Sequence, residues 1–324
     1  MLQNSRLAFI ILLLLSGIGI AFLGCLLPYC PTELCLGTTY AAYALQQGHT
    51  SYPAFVASTL KEAMTPAEKK EVPDKQKTTP VFTSAKTANK TNYDYSTFPV
   101  QNNTALTVDL ISEMKNYKPP KKQTDAPQIL IVHTHATESF SGTDNRSTDK
   151  ERNMIAVGKI LKDTLTQYGF CVLHDQTLHD YPNYNGSYAN SAETISGYLK
   201  KYPSIEIVLD LHRDGIVLED GTKVPLSATR DGQKIAKLML VVGTDTNLTH
   251  PAWRENLKFA AGLHASVEQI CPGAMRPLSL RKERFNQQLT PCTVILEIGT
   301  NGNTLEEAKR SALLLADAFY TYIK

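Results

Sequence analysis

Three apolar runs of strand length in the C-terminal part of the chain each stop at ionisable side chains. Gln128–Val132 runs into His133-Thr134-His135-Ala136-Thr137-Glu138. Ile205–Leu211 runs into His212-Arg213-Asp214-Gly215, and Thr293–Leu296 runs into Glu297-Ile298-Gly299. Helical patterns separate them, at Asn153–Tyr168, from about Ser187 to Lys201, at Trp253–Ile270 and at Leu305–Ile323. Thr304-Leu305-Glu306-Glu307 opens the last as a capping box. Two further strands are predicted at Phe170–His174 and Ala236–Val242, and a hairpin over Ile216–Leu226 around Asp220-Gly221. This alternation predicts an α/β fold, a mostly parallel sheet with helices on both faces.

In a parallel sheet the carboxyl ends of the strands share one edge, and sites are built there. His135, Glu138 and His212 can therefore converge as two imidazoles and a carboxylate. That is the His/Glu/His donor set of a catalytic zinc site, with a fourth position open for water. Glu297, on the third strand end, is then placed as the base that takes a proton from that water during amide hydrolysis. His135 is the favoured ligand of the first pair because its spacing to Glu138 suits one loop turn. His133 is then a supporting group or a transition-state donor; the exchanged assignment is the alternative.

Asp214 is expected to orient His212 or to shape the turn at Gly215. Arg213 is expected to meet a substrate carboxylate or form a plain surface ion pair. The amides of Phe285-Asn286-Gln287-Gln288, Asn286 among them, are candidates for substrate hydrogen bonds. Taken singly, each residue also has an ordinary reading: a hydrogen-bonding strand-end His, a solvated Glu138, a charge-paired Glu297. Their concurrence on three strand ends favours the site. His174 and His179 flank a polar, Tyr/Asn-rich loop and are not expected to be ligands; His49, His250 and His264 lack a supporting cluster.

Delivery is written at the other end. Leu7 to Leu27 holds 21 residues with none charged, enough to cross a hydrocarbon core of about 30 Å as a helix. Arg6 before it favours a cytoplasmic N-terminus and an exported remainder. A cleaved signal peptide and lipidation at Cys25 are the competing readings. The chain thus divides into an anchor over residues 1–28, a membrane-proximal region and linker over 29–127, and a catalytic domain over 128–324. Thr65 to Asn92, rich in Lys, Thr, Pro and Glu, is the linker proper.

A net charge of +2 gives no ground for binding nucleic acid. Six cysteines follow no framework and include no CxxC pair, so a thiolate zinc site is not expected. A Cys30–Cys35 bridge and single buried thiols elsewhere are the readings open.

With these residues placed, the chain resembles the stage II sporulation protein P family of zinc-dependent N-acetylmuramoyl-L-alanine amidases. The matching pieces are Ile131–Ser139, Asn153 with Val157-Gly158, Asp210–Asp214, Phe285-Asn286-Gln287, Val294–Gly299 and Asn303–Glu307. The resemblance implies a membrane-anchored peptidoglycan amidase, with endopeptidase action on cross-links, that thins the septal wall during engulfment. It implies Zn²⁺ on His135, Glu138 and His212, and Glu297 as the catalytic residue. It places the enzyme between the mother-cell and forespore membranes. The implied partners are sporulation protein D, a lytic transglycosylase, and sporulation protein M, a membrane protein. Gln288 stands where many relatives carry an acidic residue, and residues 30–125 match little. The rival readings are a metallocarboxypeptidase of the cell wall and a wall-binding adaptor without catalysis.

Overall fold

In a computed structural model of the chain, residues 93–323 are described. The apolar stretch Leu7–Leu27, the linker and the Cys30–Cys35 pair lie outside them. Among the described residues no helix is long and apolar enough to cross a membrane.

A seven-stranded sheet has the order β1 (Val100–Asn102), β8 (Leu278–Arg281), β7 (Leu238–Gly243), β9 (Cys292–Thr300), β4 (Ile207–Asp214), β2 (Ile129–Val132) and β3 (Val172–His174). Every neighbouring pair is parallel except β7 with β9. The strands β9, β4, β2 and β3 therefore run one way and end along a common edge. The mostly parallel sheet expected from the alternation is what forms.

Side chains alternate across this sheet with period two, and both faces are buried. Ile129, Ile131, Leu209, Leu211, Val294 and Leu296 enter the larger core with α2 (Met154–Gln167), α4 (Trp253–Ile270) and α5 (Leu305–Tyr322). Leu130, Val132 and Val208 point the other way, against Ile195 of α3 (Ser187–Lys201). Helices thus cover both faces. Asn153 caps α2 by accepting from the Ile155 amide at 2.9 Å. Thr304 and Glu307 close the capping box that opens α5.

Several boundaries differ from the sequence reading. The stretch Ala236–Val242 is two strands, β6 (Gln233–Ala236) and β7, parted at Lys237, where the chain leaves a hairpin and joins the sheet. That hairpin pairs β5 (Ser227–Arg230) with β6 and turns at Asp231-Gly232, both at positive φ (49° and 75°). Two residues at positive φ match strand twist in a two-residue turn, which Asp-Gly supplies. The Asp220-Gly221 stretch forms only an isolated bridge, Val217 to Lys223. β8 was not foreseen, being four residues long.

Part of the region read as membrane-proximal is built into the same sheet. β1 pairs with β8, Val100 to Leu278 and Asn102 to Leu280, and α1 (Leu110–Met114) follows it. Glu113 of α1 is ion-paired with Arg254 of α4. Phe98 packs its ring 4.5 Å from that of His264 in α4. Cys271 and Cys292 are buried free thiols, and Cys171 is half-buried.

His264 has a measurable consequence. Burial depresses its imidazole to about 4, against one stabilising contact, from its Nε2 to the Arg276 carbonyl at 3.2 Å. The unfolded chain takes up this proton near pH 6.5 and the folded chain only near 4. Stability from this group is therefore full above about pH 6.5 and is lost as pH falls towards 4, by on the order of 3 kcal/mol. In urea unfolding at neutrality and at about pH 5, His264→Gln is expected to show a smaller acid loss than the wild type. An equal loss would show that another group carries it.

Candidate active site

His212 and Glu297 lie inside their strands rather than beyond them. β4 continues to Asp214 and β9 to Thr300, and His212 stands opposite Glu297 in register. Alternation puts Asp210, His212 and Glu297 on the α3 face of the sheet. His133, one residue past β2, falls on the opposite face.

His133 is accordingly turned away from the other candidates. Its Nε2 lies 2.8 Å from His174 Nε2, and its Nδ1 is 3.3 Å from the Leu211 carbonyl. Gly158 of α2 makes room for this pair: a Cβ there would meet both Nε2 atoms at 2.7 Å. Burial, then the neighbouring His174, drives the His133 pKa well down, so the imidazole is neutral. His179 is also structural, with its Nδ1 2.9 Å from the His133 carbonyl.

His135, in the turn after β2, meets His212 with ring centroids 5.1 Å apart. Its Nδ1 is buried without a partner, and its Nε2 lies 3.5 Å from Ser187 Oγ. Burial and the adjacent His212 lower its pKa to about 3. Glu138 closes the turn. Its Oε2 accepts the Arg213 amide at 3.0 Å and lies 3.7 Å from His212 Nδ1.

The other His212 nitrogen, Nε2, is 3.1 Å from Asp210 Oδ1 but is not aligned for a hydrogen bond. Burial works against a charged His212, yet Asp210, then Glu138 and Glu297, lift its pKa to about 10. Glu297 is pushed the other way, up to about 8, by burial and by Asp214, against the pull of His212. Its Oε2 is buried and unpartnered.

Two imidazoles and three carboxylates thus share one buried spot that favours a cation. A bare His135 Nδ1, an unsatisfied His212 Nε2 and an unsatisfied Glu297 Oε2 are orphaned buried polar atoms of the kind a bound ion or water completes. The donor set fits the N/O preference of zinc. Among the described residues, no three His, Cys, Asp or Glu side chains are placed so that together they could hold a metal ion as they lie.

Asp210 was missed by sequence reasoning, although Asp-x-His on one strand puts both side chains on one face. It accepts from the Thr134 amide at 2.8 Å and the Thr134 hydroxyl at 2.6 Å, fixing the turn that carries His135. Despite burial, His212 and these hydrogen bonds hold its pKa down at about 2. Two tyrosines around the start of α3 were missed too. Tyr184 and Tyr188 wall His135 at ring distances of 4.5 and 5.5 Å.

Two expected roles, those of Arg213 and Asn286, are corrected, and Asp214 takes the second of the two expected of it. Arg213 is buried, donating to the Ser139 carbonyl at 2.7 Å and the Asn145 carbonyl at 2.6 Å. It staples the ligand loop and is neither a substrate clamp nor a surface ion pair. Asp214 pairs with Arg276 at 2.8 Å and accepts the Gly215 amide at 2.8 Å, so it shapes the turn; Asp210 is the carboxylate beside His212. Asn286 spends its amide nitrogen on the Tyr188 carbonyl (2.7 Å) and Ser191 Oγ (3.1 Å), holding α3. Its neighbour Gln287 is fully buried and bonded to Gly243 and Val241 of β7.

The profile of the family described as stage II sporulation protein P (SpoIIP) matches residues 36–320. Stage II sporulation protein P of Bacillus subtilis (strain 168) is 29% identical over 219 residues, covering 62% of this chain and 52% of that protein. The match spans about half the length of that curated relative. Among solved structures, the CwlD amidase from Clostridioides difficile in complex with the GerS lipoprotein has 12% identity. Its TM-score is 0.39, over 60% of this chain and 95% of that one. The apo N-acetylmuramyl-L-alanine amidase Ami1 from Mycobacterium abscessus has 13% identity and a TM-score of 0.37, over 61% and 99%. Likeness at that level carries no argument about activity.

Proposed function

Because the chain belongs to the stage II sporulation protein P family, we propose that it is a peptidoglycan hydrolase. In this reading it is a zinc-dependent N-acetylmuramoyl-L-alanine amidase acting in sporulation. The observation that carries the reading is the buried meeting of His135 and His212, 5.1 Å between rings, with Glu138 beside them and Glu297 in register with His212.

His135, Glu138 and His212 would hold the zinc, which when bound supplies an acidified water and polarises the scissile carbonyl. Asp210, 3.1 Å from the far nitrogen of His212, supplies its counter-charge and, through Thr134, fixes the turn that carries His135. Arg213 fixes Glu138 through its own amide and binds the loop behind it. Glu297 accepts the water's proton on its unpartnered oxygen and returns it to the leaving amine. Its pKa, raised by burial and by Asp214, falls when a cation stands beside it, so the base is charged when the site is loaded.

The family resemblance adds endopeptidase action on cross-links, an anchor at Leu7–Leu27, a place facing the septal wall, and sporulation proteins D and M as partners. These belong to the proposal. The test is digestion of purified sacculi by the full chain, with products read by mass spectrometry. Release of whole stem peptides with free N-terminal L-alanine is expected. Activity should vanish with a chelator and return with Zn²⁺. Shortened stems still attached to glycan would replace the amidase with the metallocarboxypeptidase, and intact sacculi would leave the wall-binding adaptor.

A further inference from the structure

The loop behind the site returns on itself as a short antiparallel ladder. The Ser147 amide donates to the Thr137 carbonyl at 2.7 Å, and the Ser139 amide to the Asn145 carbonyl at 3.1 Å. Glu138 and Arg146 are the bridge pair enclosed between those two bonds. A pair flanked in this way is the non-hydrogen-bonded kind, whose side chains lie on one face and closest together. Arg146 is thereby set on the same side as the Glu138 carboxylate, at the rim of the site.

Its guanidinium is held but not used up. Nη1 reaches Asp180 Oδ2 at 3.1 Å; the Asp180 side chain is fully buried, whereas that of Arg146 is 34% exposed. Asp180 is itself fixed by the Thr137 amide at 3.2 Å and hydroxyl at 2.6 Å. The guanidinium lies 4.0 Å above the ring of Tyr184, which sits 4.5 Å from His135. A planar cation held on one edge by a carboxylate and on one face by a ring still has free donors on its open side.

We infer that Arg146 binds a carboxylate of the substrate's peptide stem, the task the sequence had suggested for Arg213. The inference rests on the peptidoglycan-hydrolase reading. A stem bound for amide cleavage next to the muramoyl group presents its nearest carboxylate on the second residue. That is about 7 Å along an extended chain from the scissile bond, and the guanidinium is linked to His135 by two ring contacts of 4.0 and 4.5 Å through Tyr184. Asp180 and Tyr184 position the guanidinium, so little side-chain entropy is lost on binding.

The experiment compares two muramoyl tetrapeptides that differ only in whether the second residue's α-carboxylate is free or amidated. The wild-type full chain is expected to favour the free acid by roughly tenfold or more in kcat/KM, mainly through KM, as one charge-assisted contact predicts. Arg146→Gln should lose that preference while still cleaving the amidated substrate. A merely structural role, as counter-charge to buried Asp180, would slow both substrates alike and leave the ratio unchanged. Should Arg146→Gln fail to fold, Arg146→Lys keeps a charge opposite Asp180 and is expected to shrink the ratio. An equal rate on both substrates in the wild type, or an unchanged ratio in the variant, overturns the inference. A wild type that cleaves neither substrate overturns the hydrolase reading beneath it.

Discussion

Replacing Glu297 by Gln is expected to leave zinc bound and the fold intact while lowering sacculus digestion by at least a hundredfold, as loss of a general base does. Glu297 is half-buried on β9, in register with His212, with one oxygen buried and unpartnered. Burial and Asp214 raise its pKa to about 8, so in the folded protein its carboxylate is costly unless a positive charge stands near. Gln keeps the shape and removes that cost, so stability should hold or rise, which separates lost chemistry from lost structure. Zinc content by elemental analysis and melting temperature, measured on the same preparation, complete the reading. Normal digestion by Glu297→Gln would sink the assignment of the base.

His212→Ala should behave oppositely, losing zinc and activity together. It should also lose stability, because Asp210 is then left buried and charged with its principal counter-charge gone. Removing one partner of a buried pair costs about 3–5 kcal/mol. The double variant Asp210→Asn/His212→Ala should recover most of that loss in urea unfolding and still bind no zinc. If His212→Ala retains zinc at wild-type stoichiometry, the ligand set proposed around His135 and Glu138 is wrong.

The larger elements were legible because apolar period and caps agreed. Trp253–Ile270 is a helix at the bounds read from its pattern, and the box at Thr304 caps α5 as spelled. Strand ends were less so. The runs at Leu211 and Leu296 seemed to stop because the next residue was charged, whereas β4 and β9 continue through His212 and Glu297. A buried ionisable residue breaks the apolar pattern without ending the strand, since its neighbours and not water satisfy it. This is why the candidate site residues lie at misread boundaries.

Separating the two histidines of the first motif needed the sheet itself. His133 and His135 share one short segment, and only the exit of the chain from β2 turns one ring to His174 and the other to His212. Arg146, Asp180 and Tyr184 sit in loops without periodic signal, and Tyr188 in the first turn of α3. Their approach to His135 depends on the ladder at Glu138 and on the start of α3.

The pairing of β1 with β8 makes the outer margin of the sheet a seam closed from upstream. Three residues, Val100, Gln101 and Asn102, cover the backbone of Leu278–Leu280. A protein cut to begin at residue 128 would keep every proposed zinc and base residue but would bare that row of amides and carbonyls. An uncovered flank of this kind recruits strands from other molecules. With β1 in place the sheet instead ends in a strand of three residues, too short to offer a long edge to another molecule.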